Sequence, residues 1–321
     1  MEDSIQRCYV ETVHLESDDF VKLIRLDAGF ILELFLRYYE EKWEVDHPMF
    51  VEAWLLEVVW HELLLLENQL PFFVIEKLYQ LAFPNNSNSP PSLNDLTFNF
   101  FKSLNTQKKN TNVKIQHFTD LLRFFHLPSS NKLPYRETKL TFPKYSATQL
   151  REAGVTFKVA SRKCALNLDF QNGMLDIPLL KFQDTMEALI RNIMALEQCD
   201  HRRPAYTTDF YLMLDHLINT SKDVDLLSSE GIIDNRLGDS NAVTSMINNL
   251  NKGIFRRDMN SDYYDLCREL NVFYEKPWHR WKATLKHEYF STPWGTASTI
   301  AAIFLLVLTL IQTICSIIQV V

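Results

Sequence analysis

A mainly α fold is predicted, in two parts. Residues 1–288 read as a helix-rich globular domain with a loop at 84–94 and one small antiparallel β-hairpin element at 155–180. Residues 289–321 read as an aromatic flank followed by a single C-terminal transmembrane helix. Three observations predict this. Apolar residues recur at three- and four-residue spacing along most of the chain. Capping residues and glycines bracket those stretches. The last charged side chain is Glu288, and an apolar run follows it. At 321 residues, 46% hydrophobic and 23% charged, the chain can bury a core, which excludes a mainly disordered protein.

From Asp18 to Glu40, residues Phe20, Leu23, Ile24, Phe30, Ile31, Leu34, Phe35 and Tyr38 follow helical spacing, and Asp27 falls on the same face. A carboxylate buried there requires a hydrogen-bond partner. The next helix, Val51–Leu66, breaks at Glu67-Asn68-Gln69-Leu70-Pro71. The residue before a proline avoids the α region, and Pro71 suits the first turn of the following helix, Phe72–Phe83. Glu67, Asn68, Gln69 and Pro71 therefore read as a structural corner whose polar side chains satisfy backbone groups left open at the break. His61-Glu62 begins a zinc-protease pattern, but Leu65 stands where the second histidine belongs. Val113–Leu127 reads as an amphipathic helix, and its His117, Asp120 and His126 share no face that would hold a metal.

Ser146-Ala-Thr-Gln149 is a capping box for a short helix ended by Gly154. Val155–Ala160 and Ala165–Phe170 then alternate, and Asn172-Gly173 turns the chain into Met174–Leu180, the strongest short hairpin signal. Asp184 and Glu187 box a helix to about Glu197. Further helices are predicted at Thr208–Asn219, Asp223–Glu230, Ser240–Lys252 and Asp262–Glu275, started by Ser221, Asp239 and Ser261 and stopped by Gly231 and Gly253.

Residues Ala297–Val321 hold 25 uncharged positions, about 37 Å of helix at 1.5 Å per residue, against about 30 Å of hydrocarbon. Tyr289, Phe290 and Trp294 sit where aromatics settle at headgroups, and Arg280, Lys282 and Lys286 precede the span. With no secretory leader visible, this predicts a single-pass, tail-anchored membrane protein with its bulk in the cytosol. The length favours the thicker plasma membrane over the endoplasmic reticulum. Ser298, Ala302, Thr309, Gln312 and Ser316 share one face, a candidate for self-association through the span. The alternative is that the hydroxyls bond back to their own helix.

Composition narrows the function further. Seven glycines, no two within six residues, exclude the closely spaced glycine loops that cradle phosphates, so no nucleotide cofactor is expected. No Lys/Arg run marks a nucleic-acid binder. Residues 1–67 carry sixteen Asp/Glu against five Lys/Arg, read either as a solvated face or as a docking surface for a basic partner. Five scattered cysteines favour a reducing compartment.

Four segments together are similar to a known family: Leu64–Val74, Ala147–Phe157, Tyr206 through Ile233, and Tyr289–Trp294 with the apolar run after it. They resemble the plant domain-of-unknown-function 247 family across nearly the whole chain. The resemblance implies a plant source, a helix-rich domain and one C-terminal span, with no catalytic residues to carry over. Some grass members are implicated in pollen–stigma self-incompatibility, which implies recognition or signalling. It also implies a longer block ahead of Asp18 than the seventeen residues here; if that block packs on Phe20, Ile24 and Ile31, the face they form is left exposed or re-covered in this chain.

The leading expectation is thus a non-enzymatic, membrane-anchored interaction protein with the lipid bilayer and unidentified proteins as partners, and no metal or cofactor. Two other classes stand beside it. One is a membrane-tethered hydrolase assembled in three dimensions from residues such as Cys199, His201, Asp215 and His216. The other is an oligomeric membrane scaffold.

Overall fold

The computed structural model describes residues 2–9, 15–42, 52–84, 90–129, 133–161, 164–200, 204–276 and 293–320. After a short α1 (Glu2–Gln6), the long α2 (Ser17–Glu40) packs on α4 (Phe72–Ala82) and α5 (Leu93–Phe100). Between them lie α3 (Ala53–Glu62) and a 3₁₀ turn at Leu66–Asn68. The centre of this half is aromatic. Phe35 is wholly buried, with its ring 4.6 Å from Phe100, 5.6 Å from Phe118 and 6.0 Å from Phe101. Burying each such ring stabilises the fold by roughly 1.5–3 kcal/mol.

Helix α6 (Phe118–His126) links this half to α8 (Asp184–Cys199), which also packs on α9 (Tyr206–Leu217). Around α9 stand α11 (Ser240–Leu250) and α12 (Ser261–Glu275). The short α7 (Ala147–Glu152) sits on α10 (Ser221–Ser229). One continuous hydrophobic core runs through both halves.

The β structure is richer than a lone hairpin. Strands β3 (Asp169–Gln171) and β4 (Met174–Ile177) do form the expected antiparallel pair, with Asn172 and Gly173 at φ +53° and +80°. Strand β2 (Thr156–Val159) adds to β4 in parallel, and β5 (Leu180–Phe182) pairs in parallel with β6 (Ile233–Asn235). A two-residue antiparallel pair joins β1 (Arg136–Glu137) to β7 (Met259–Asn260). Parallel partners lie far apart in sequence, so no local turn signal announces them.

Several boundaries also move. The helix expected over Val113–Leu127 starts only at Phe118, because the His117 ring accepts the Asp120 N–H and the Asp120 carboxylate accepts the Gln116 N–H. The helix expected over Val51–Leu66 gives way to the 3₁₀ turn. On α2, Phe20, Ile24, Ile31 and Phe35 are buried, whereas Leu23, Phe30 and Asp27 are exposed. Helix α2 buries only the arc facing α4 and α5, and those three side chains fall on its outer side.

The C-terminal expectation is corrected. Among the described residues, no helix is long and apolar enough to cross a membrane. Residues Pro293–Val320 form a helix, α13. Ile303, Phe304, Leu306, Leu310 and Ile314 are exposed along it. The transmembrane helix, the single-pass and tail-anchored assignments and the membrane localisation therefore lack support. The aromatic flank at Tyr289 and Phe290 lies outside the described residues.

Candidate functional site

Glu197, Arg123, Lys109 and Asp209 are charged groups drawn into the interior, and each has a structural task. Glu197, with no exposed side-chain surface, sits in the last turn of α8 and faces the start of α9. Its Oε1 accepts from Arg123 Nε at 2.9 Å and from the Thr207 N–H at 3.2 Å. Its Oε2 accepts from the Thr208 N–H at 2.9 Å and from Thr208 Oγ1 at 2.7 Å. A carboxylate there complements the positive end of the α9 dipole. Arg123 also donates to the Pro204 carbonyl at 2.5 Å.

Beside Arg123, at the C-terminal end of α6, the open carbonyls are covered in turn. Lys109 donates to Phe124 O and, at 2.6 Å, to Leu127 O. Gln107 donates to Phe125 O at 2.9 Å and to Leu127 O at 2.8 Å. Burial lowers the Lys109 ammonium to about 8, with Cys164 opposing the shift and Arg123 adding to it.

Asp209 on α9 lies between Arg136 and Arg256, and its Oδ2 accepts the Asn260 N–H at 2.9 Å. Burial pushes its carboxyl up to about 6 against the pull of both guanidinium groups. This cluster ties β1 and β7 to α9.

The sequence-nominated catalytic residues do not assemble. Cys199 is exposed at the end of α8 and makes no hydrogen bond to Asp215 or His216 among the described residues. His216 stacks on Phe142 with centroids 4.6 Å apart, and burial lowers its pKa while Asp215 opposes the shift. His201 lies outside the described residues. A cleft of about 430 Å³ lies along residues 113–127 and Asp200, but its Arg123 is already committed to Glu197.

The corner residues hold backbone. Gln69 Nε2 donates to Leu63 O at 2.9 Å and Leu65 O at 2.5 Å, while its Oε1 accepts the Thr119 N–H at 3.1 Å. Asn68 donates to the Glu62 carboxylate at 2.7 Å, Pro71 occupies the N-cap of α4, and Glu67 points to solvent. On α13, Thr309 Oγ1 donates to its own helix at Leu305 O, 2.7 Å away. Ser298, Ala302 and Gln312 are exposed, and the Ser316 side chain lies outside the described residues.

What stands out on the surface is α3. Its inner side carries Leu56, Val59 and Trp60 against the core, with the Trp60 ring 5.9 Å from Phe101. Its outer side presents Trp54, 59% exposed, and Val58, 45% exposed, one turn apart. Exposed Glu52, Glu57 and Glu62 surround them, and Trp54 Nε1 donates to Glu52 Oε2 at 2.6 Å. Residues 43–76 hold seven carboxylates and no lysine or arginine, so no cation of the same segment neutralises this face. The exposed Leu23, Leu26 and Phe30 of α2 differ, because Lys22, Arg25, Asp27, Glu33 and Arg37 around them mix both signs. The acidity was legible in the sequence. The aromatic-centred face was not, because which side of α3 meets the core is a tertiary fact.

Compared with known proteins, the chain matches at residues 1–308 the model of DUF247, described as a plant protein of unknown function. It is 28% identical to UPF0481 protein At3g47200 of Arabidopsis thaliana over 341 residues, covering 98% of this chain and 71% of that protein. It is 25% identical to the putative UPF0481 protein At3g02645 of the same plant over 177 residues, covering 54% of this chain and 33% of that protein. No solved structure matches.

Proposed function

We propose, from the premise that the chain belongs to the DUF247 family of plant proteins of unknown function, that it is a non-enzymatic interaction protein that docks a basic, aromatic-bearing segment on the outer face of α3. The observation that carries this reading is the pair Trp54 and Val58, exposed together beside exposed Glu52, Glu57 and Glu62 in a segment with no lysine or arginine from 43 to 76. Aromatic side chains supply most of the energy of such contacts, and like-signed rims steer and select oppositely charged partners. Trp54 also offers a face on which a guanidinium or ammonium group can sit. The structural employment of Glu197, Arg123, Lys109 and Asp209 supports a binding role over a catalytic one.

The test uses two fluorescein-labelled peptides, one with lysines and arginines around a phenylalanine and one with glutamates in their place. The basic peptide binds the full chain saturably, and Glu57→Lys weakens it at least about tenfold, or about 1.4 kcal/mol. Equal binding of the acidic peptide, or an unchanged affinity in Glu57→Lys, overturns the reading.

A further inference from the structure

The molecule carries a second exposed aromatic of opposite surroundings. Phe255 is 90% exposed, more than any other large hydrophobic side chain described, in the loop that joins α11 to β7. Exposed Lys252 and Arg257 flank it, and the loop has no carboxylate from 251 to 257. An aromatic ring held in water is unfavourable relative to one buried against apolar neighbours.

The loop is held firmly at both ends. At its start, Gly253 at φ +78° follows the end of α11, and Asn251 Nδ2 donates to Tyr211 O at 3.2 Å. Ile254 turns back onto the core. At its far end Arg256 is anchored 3.1 Å from Asp258 and 3.5 Å from buried Asp209. Phe255 is thus displayed from a braced base, which lowers the ordering cost of binding.

We infer that the Phe255 loop of one copy of this chain docks on the α3 face of a second copy, with Phe255 on Trp54 and Val58, and with Lys252 and Arg257 meeting the glutamates around them. This rests on the docking reading above and names its occupant. The argument is charge complementarity: the chain carries one aromatic-centred acidic face and one aromatic-tipped basic loop, each matching the other's chemistry. One such contact leaves a free loop and a free face on the pair, which either close on each other across a two-fold axis or recruit further copies head-to-tail. Assembly strengthens as concentration rises, and salt weakens it.

The experiment follows the full chain in non-ionic detergent, which disperses the apolar side chains of α13, by sedimentation velocity and by energy transfer between two labelled populations. The wild-type chain self-associates. Phe255→Asp and Val58→Asp each weaken this at least about tenfold, with unchanged circular dichroism, since both side chains are exposed. An equimolar mixture of the two variants pairs again but stops at two copies, because only one intact contact remains. Arg257→Glu and Glu57→Arg are each weak alone, and one chain carrying both substitutions self-associates again.

Self-association of Phe255→Asp at the wild-type level overturns the inference and assigns the contact elsewhere, α13 included. Failure of the mixed variants to pair overturns it as well. A wild-type chain that stays single yet binds the basic peptide sinks this inference and leaves the docking reading standing. A chain that does neither sinks both.

Discussion

Glu197 reads in sequence as the helical residue before an exposed end, and its neighbours give no hint that its carboxylate is fully buried. Its value lies in what it joins: Arg123 from α6, and the Thr207 and Thr208 amides at the start of α9. Removing one member of a buried pair leaves the other charged and uncompensated. Glu197→Ala is therefore expected to cost about 3–5 kcal/mol in urea denaturation, and Arg123→Met with Glu197→Leu together much less. Gln69 teaches the same lesson on a smaller scale. Its place in a helix break was evident from Pro71 two residues on, but its bond to the Thr119 amide required α6 to be in position. Asp27 runs the other way. Helical periodicity placed it on the buried face, and the structure leaves it exposed on the outside of α2.

At the level of elements, local signals performed best where the chemistry is local. The Ser146–Gln149 capping box forms, with Gln149 Oε1 accepting the Ser146 N–H at 3.0 Å. Asp239 caps α11 as expected, whereas α10 and α12 are capped by Thr220 and Asn260, each one residue ahead of the serine that sequence nominated. The β3–β4 turn is demanding. Gly173 has φ +80°, and a Cβ there would lie 3.0 Å from Phe273 Cζ on α12. Gly173→Ala is expected to destabilise the protein by roughly 1–3 kcal/mol, combining left-handed strain with overpacking. Thermal melting checks this, and an unchanged midpoint would show that the hairpin does not need its contact with α12. The partnership of β2 with β4 and of β5 with β6 escaped sequence analysis because parallel pairing leaves no turn to recognise.

Across the whole molecule, Asp223 links stability to pH. Its carboxylate accepts from the Thr148 N–H and Oγ1 at 2.8 Å, from the Asn219 N–H at 3.2 Å, and from the Thr220 N–H at 2.9 Å and Oγ1 at 2.8 Å, so it docks α7 on α10. Burial alone would raise its pKa, but these hydrogen bonds outweigh burial and hold it below the ordinary 3.8. The folded state thus binds its proton less readily than the unfolded chain. The stabilisation is present above the unfolded value and is lost as pH falls through the depressed folded value. Asp223→Asn is expected to cost about 2–3 kcal/mol near neutrality, a gap that narrows on acidification. A constant gap from neutral pH to the acid limb would refute the assignment.

The sequence by itself determined the helical class, the corner at Gln69 and Pro71, the Asn172-Gly173 turn and the acidity of the first 67 residues. All of these depend on residues within a few positions of one another, or on composition alone. Only the tertiary structure decided which carboxylates are consumed in holding helices together and which side of α2 and α3 faces water. It also decided that Phe255 stands out on a braced basic loop. Those outcomes turn on which surfaces meet across hundreds of residues, and burial, not spacing, sets the free energy of each.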